Sequence, residues 1–190
     1  MTVLVAALFV AALLLLLSLL MVLWGISMYN NLVQSRLRTG EAWSGIEVQL
    51  NRRASLIPNI VETVRGYAQH EHQVFADVAQ ARGALAKAVG PAASAVADQS
   101  LTQALGRLMA VAENYPQLQA AAGFRDLREE LRDAEEKIAY ARQFYNGNVL
   151  AYNTAIRSYP GNMFARRFHF EPAGFFSADQ AVAQDVKVSF

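Results

Sequence analysis

The sequence predicts an all-α membrane protein: one N-terminal transmembrane helix, then an up-and-down bundle of three to four long helices, then a short irregular or β-like tail. Three observations predict it: an uncharged apolar run at the start, long apolar heptads beyond it, and proline and glycine breaks between the heptads. The expected organisation is an anchor over 1–28, a bundle over 29–160 and an aromatic-rich tail over 161–190.

The anchor comes first. No charged side chain lies between Thr2 and Ser35, and Val3 to Met28 is an almost wholly apolar run of 26 residues centred on Leu13-Leu14-Leu15-Leu16-Leu17. About 20 apolar residues suffice to cross a bilayer core as a helix. A cleaved signal peptide fits less well, because its apolar region is about 7–15 residues, follows a basic residue and precedes a small-x-small site. Here no Lys or Arg precedes the run, whereas Arg36 and Arg38 follow it, so the positive-inside rule directs the N-terminus out and the C-terminal domain into the cytoplasm. Trp24 and Tyr29 stand where interfacial aromatics are expected, and with Arg36 and Arg38 form the predicted membrane interface.

Composition limits the rest. Once the anchor is removed, about 150 residues remain, enough for one domain with a sizeable core. The 17 basic and 16 acidic residues nearly cancel and are interleaved, which argues against a nucleic-acid partner. With no cysteine, disulfides, thiolate zinc sites and cysteine nucleophiles are excluded.

The bundle is read from its heptads. Steps of three and four from Trp43 give Ile46, Leu50, Arg53, Ile57, Ile60, Val64, Tyr67, Glu71, Val74, Val78, Ala81, Leu85 and Ala88, with only Arg53 and Glu71 polar. A 3.5-residue repeat held this long sets one apolar stripe along a helix. It returns as Phe124, Leu127, Leu131, Ala134, Ile138, Ala141, Tyr145, Asn148, Tyr152, Ala155 and Tyr159. Between the two, Ala92 to Ala112 reads as a shorter helix carrying Leu101, Leu105 and Leu108. Gly90-Pro91, Asn114-Tyr115-Pro116 and Pro160-Gly161-Asn162 mark the helix ends. Pro58 is expected to kink the first helix without splitting it, because the heptad keeps phase across it.

Tyr29-Asn30-x-Leu32-Val33-x-x-Arg36, Ala42-Trp43-Ser44-x-Ile46-x-Val48-Gln49-Leu50-x-Arg52-Arg53, and Leu56-Ile57-Pro58-Asn59 with Val61-Glu62-Thr63-Val64 resemble the signature of the LemA family. Later blocks agree in order: Gly66-Tyr67-Ala68-x-His70-Glu71, Glu113-Asn114-Tyr115-Pro116, the run from Lys137 to Asn146, and Tyr152-Asn153-Thr154. The departures are local: Glu47 where an aspartate is usual, and His169 between Phe168 and Phe170 where a glycine is usual. The resemblance implies a bacterial-type membrane protein with one N-terminal span and a helical bundle. It implies no established enzymatic activity, and one branch of that family is associated with forming an intracellular membrane organelle.

No catalytic, cofactor or metal site is expected. His70-Glu71-His72 cannot grip one ion if the segment is helical, since residues two apart point in different directions. Glu129, Glu130, Glu135 and Glu136 lie among alternating charges, the pattern of a solvated face. No phosphate loop, nucleophile elbow or HExxH is present. Arg53, Glu71 and Asn148 interrupt apolar seams, where a buried charge must find a partner; they either fix helix register or protomer pairing, or sit at frayed, solvent-reachable parts of the seam. Asn30, Asn146 and Asn153 each follow a tyrosine, Tyr145 and Tyr152 lie one heptad apart, and the pattern suggests a hydrogen-bonded Tyr/Asn ladder in the bundle.

Helices over Trp43–Ala88 and Gln117–Tyr159 would run roughly 65–70 Å, against about 30 Å for the middle one. A continuous first helix would leave apolar stripe uncovered, so a homo-oligomer is expected. In the tail, Phe164, Phe168, Phe170, Phe175 and Phe176 around Arg166 and Arg167 suit either the bundle or a lipid interface. Val186-Lys187-Val188-Ser189-Phe190 alternates like a strand. Two function classes follow. One is a self-assembling protein of the bacterial inner membrane that organises or shapes the bilayer. The other is an adaptor that docks another membrane protein, such as a kinase or protease.

Overall fold

The computed structural model describes residues 1–178, apart from the side chains of residues 2, 3 and 5–7. The order of elements is α1 (Thr2–Arg65), α2 (His72–Lys87), α3 (Pro91–Glu113), α4 (Pro116–Ala120), α5 (Ala122–Arg157) and α6 (Gly161–Phe168). No strand occurs among the described residues; the strand expected at Val186 to Phe190 lies outside them. The chain forms two compact units. One comprises Met1–Thr39 and Leu150–Ala173; the other comprises Gly40–Val149 and, among the described residues, 174–178.

Helix α1 carries the apolar run and continues without interruption through Trp43 to Arg65. Leu13, Leu16, Leu20, Leu23 and their apolar neighbours are exposed all round, as a helix solvated by lipid requires. Helical structure persists through Pro58. A proline removes the hydrogen bond that its N–H would give to the carbonyl four residues earlier, here that of Ala54. Arg82 of α2 fills the gap: its Nε donates to the Ala54 carbonyl at 3.1 Å. The lost bond is replaced from a neighbouring helix, so no turn is needed.

The break comes later. The helix ends at Arg65, where Gly66 and Ala68 still bond back to the Glu62 and Val64 carbonyls, and α2 restarts at His72. The heptad from Trp43 to Ala88 is therefore carried by two helices. Its later positions bury Val78 and Ala81 while Tyr67 stays exposed in the turn. Gly90 sits at φ +81°, a conformation open to glycine, with Pro91 opening α3 directly after it.

The core of this unit gathers Ile57, Ile60 and Val64 of α1, Phe75 and Val78 of α2, Leu101, Leu105 and Leu108 of α3, Leu118 of α4, and Phe124 and Leu131 of α5. Burying each such side chain contributes about 1.5–3 kcal/mol. The stripe from Ile46 to Val64 is buried within the chain itself, its Ile57, Ile60 and Val64 part in one core with α2. The uncovered stripe inferred from a continuous first helix is absent, since its premise fails at Gly66.

In the other unit, Leu32, Tyr152, Ile156 and Ala165 form the centre, flanked by Phe164, Phe170 and Ala173. Helix α5 stops at Arg157, so Tyr159 lies beyond the heptad and is 80% exposed, not in a seam. The Tyr159–Pro160 bond is cis, and α6 begins at Gly161. A Cβ at Gly161 would fall inside contact distance of the Ala155 carbonyl, so only glycine fits there. The segment expected to be irregular thus opens with a helix. It ends on His169 in the left-handed region (φ 56°, ψ 46°), where the N–H groups of His169 and Phe170 both reach the Ala165 carbonyl.

Candidate functional site

Two kinds of polar construction stand out against the apolar cores. The first is at Arg53, which is only 2% exposed. Its Nη2 pairs with the Asp98 carboxylate and also donates to the Asp98 carbonyl at 3.2 Å; Nη1 donates to the Thr102 hydroxyl at 3.0 Å. Glu135 stands 3.9 Å from Nη1. Thr102 in turn donates to the Asp98 carbonyl at 3.0 Å, so α1 and α3 are joined by a small network. Arg53 Nε finds no partner among the described residues. Burial pushes the Asp98 carboxyl above its ordinary value, against the downward pull of Arg53 and Arg142. A buried pair in which desolvation outweighs attraction specifies position more than it adds stability.

The second construction is a pair of clamps along α5, one in each unit. In the unit that holds Gly40–Val149, the Tyr145 hydroxyl donates to the Gly174 carbonyl at 2.7 Å. Asn146 there takes both sides of Phe176: Nδ2 donates to its carbonyl at 3.2 Å and Oδ1 accepts from its N–H at 2.9 Å. In the other unit, Tyr152 donates to the Glu171 carbonyl at 2.9 Å, while Asn153 pairs with Ala173 through both amide atoms at 2.9 Å. The amide of asparagine matches a backbone N–H and C=O as a neighbouring strand would. Burial pushes both phenols up, which keeps them neutral donors. The Tyr/Asn pairs do not bond to each other, as a ladder would. They hold the chain after α6.

The remaining predicted residues fall as follows. Ile46, Leu50, Ile57, Ile60, Val64, Phe124, Leu131 and Ile138 are buried, and Trp43 is half-buried against Tyr145 and Phe176. Asn148 donates to the Phe144 carbonyl of its own helix, and Glu71 stands at the start of α2 without a capping bond. His70 lies in the turn and His72 opens α2, so the two are not neighbours on one helix; among the described residues no group of three or more His, Cys, Asp or Glu is placed to hold a metal. On α5, Arg132 pairs with Glu129 and Glu136, and Lys137 with Asp133, which is a solvated face. Trp24 and Tyr29 pack edge-on against Phe164 and Phe168, while Arg36 and Arg38 are exposed. Sequence reasoning missed Asp98, the partner of Arg53, because it lies outside both seams. It also missed the tail backbone as the partner of the Tyr-Asn pairs.

The LemA family model matches residues 42–190. The chain is 30% identical to the magnetosome protein MamQ of Magnetospirillum gryphiswaldense, over 69% of this chain and 61% of the relative. It is also 30% identical to magnetosome proteins MamQ 1 and MamQ 2 of Paramagnetospirillum magneticum, over 80% of this chain and 66% of each relative. The chain spans less than two thirds of the length of these relatives.

Proposed function

Because the chain belongs to the LemA family, we propose that it is a membrane-anchored, non-enzymatic helical protein that self-assembles and so organises or shapes the bilayer. One observation carries the reading: the helix that bears the apolar span also bears Ile57, Ile60 and Val64 of the water-facing core. Association of the folded units that enclose these cores gathers the spans as well, and a gathered set of spans acts on the membrane as a group. The relatives named as magnetosome proteins support a role at a membrane. Arg36 and Arg38 after the span support a single-pass arrangement with the N-terminus out and the folded part in the cytoplasm.

The adaptor reading has one observation in its favour. Tyr140 and Phe144, one turn apart on α5, are both exposed and flank a shallow pocket with Gly147 and Asn148, a surface on which another membrane protein would fit. Electron microscopy and mass measurement of the full chain in mild detergent and on liposomes separate the two. Uniform homo-oligomers, enlarged on liposomes, support self-assembly. A monomer at every concentration that copurifies with one unrelated membrane protein overturns it in favour of the adaptor.

A further inference from the structure

Helix α6 packs on the membrane end of α1. Phe164 lies edge-on to Trp24 with ring centres 5.9 Å apart, and its ring edge would meet a Cβ at Gly25 at 3.7 Å. One turn on, Phe168 meets Tyr29 at 4.9 Å, and Phe170 meets the same tyrosine at 5.8 Å. Trp24 and Gly25 belong to the uncharged apolar run that ends at Met28. That run exceeds the roughly 20 residues needed to cross the hydrocarbon core, so its last turn falls at the hydrocarbon edge. Whatever packs on Trp24 and Gly25 shares that depth.

The surface that α6 turns outward has the chemistry of that zone. Met163 is 61% exposed and Phe168 49%, as Trp24 is 52%. Beside them Arg166 and Arg167 are exposed, and neither takes an ion pair among the described residues; the Arg167 guanidinium lies 5.7 Å from the Phe168 ring centre. In water such a helix would expose apolar side chains and two arginines without return. At the bilayer surface, methionine and aromatics enter the acyl boundary and arginines reach phosphates.

We propose that α6 is an interfacial helix that lies in the headgroup layer beside the span, with Met163 and Phe168 in the acyl boundary and Arg166 and Arg167 on the phosphates of acidic phospholipids. The placement makes the chain after the bundle a second membrane contact, joined to the span through Trp24 and Tyr29. It rests on the span alone and holds whether or not the chain self-assembles.

The chain has no cysteine, so single reporters can be placed without other change. Spin labels on M163C and, as a water-facing reference, E130C are compared in the full chain, in nanodiscs of phosphatidylcholine with and without phosphatidylglycerol. The expected result is that the label at 163 is open to oxygen and shielded from a water-soluble nickel chelate, the reverse of the label at 130. Equal access of the chelate to both overturns the placement. The second arm measures enrichment of phosphatidylglycerol around the wild type and an R166Q/R167Q variant of unchanged helicity. Each arginine near a surface is expected to contribute roughly fivefold, so the preference falls by more than tenfold in the variant. An unchanged preference overturns the assignment of the arginines to headgroups.

Discussion

Arg53 and Asp98 show how single residues act as a unit. Each is buried, and each is tolerated because of the other. Arg53→Met alone should cost about 3–5 kcal/mol at neutral pH, because it strands a buried carboxylate. The pH dependence has a definite sign. Burial already raises the Asp98 pKa above its unfolded value, and removing Arg53 takes away the larger of the two arginine effects that lower it. The folded variant then holds a proton that the unfolded chain has lost, so its stability is greatest at acid pH and falls as pH rises through the raised pKa. Melting curves of R53M from acid to neutral pH should show this loss relative to wild type. The double variant R53M/D98L should melt close to wild type, since a well-packed apolar pair replaces a buried ion pair at little cost. His169 is a second case. It holds a left-handed conformation that costs a non-glycine residue about 1 kcal/mol, at a position where the resembled family usually has glycine. His169→Gly should therefore raise stability by about 0.5–1 kcal/mol in thermal unfolding, the gain being trimmed by the freer unfolded chain. That departure was visible in the sequence, but its backbone angle was not.

Among the elements, α1 was the most legible and also the most misleading. Its heptad from Trp43 to Val64 marked the buried face, and Gly90-Pro91 marked the start of α3. Yet the same repeat runs on through Tyr67 and Val74 across a turn, because both helices bury apolar residues on one core and no proline lies at the break. Periodicity records which side chains face inward; it does not record whether the backbone between them is helical. Pro58 was legible as a kink candidate, but the device that tolerates it, Arg82 on the Ala54 carbonyl, depends on a helix that pairs with α1 only after the turn. Such partners lie beyond any local pattern, and the same holds for Asp98 and for the backbone at Gly174 and Phe176. A double-mutant cycle tests the Pro58 account. Arg82→Ala should cost about 1 kcal/mol, the worth of one hydrogen bond to an otherwise unpaired carbonyl. In a P58A background the restored N–H serves Ala54, and the same substitution should cost little. Equal losses in both backgrounds, read from chemical unfolding, would detach Arg82 from the proline.

For the whole molecule the consequential feature is that one helix carries both lipid-facing and core-facing side chains. Between Gly25 and Gly40 the sequence holds neither glycine nor proline, and the first charge after the span is Arg36, so nothing local ends the helix where the apolar run does. Tether and fold are then one cooperative stretch of backbone, because a helix broken mid-course must nucleate again on both sides. A flexible tether would leave the amides between Tyr29 and Trp43 open to solvent, whereas a continuous helix protects them nearly as well as those from Ile57 to Val64. Hydrogen exchange on the full chain in lipid should find that protection. Val33→Pro supplies the contrast, since an interior proline costs a helix about 3 kcal/mol and frees the preceding turn. In that variant, exchange around Tyr29 to Val33 should become fast while Ile57 to Val64 stay slow. Fast exchange there in the wild type would reduce α1 to an anchor and a separate bundle helix, and would remove the coupling between fold and span on which the proposed function rests.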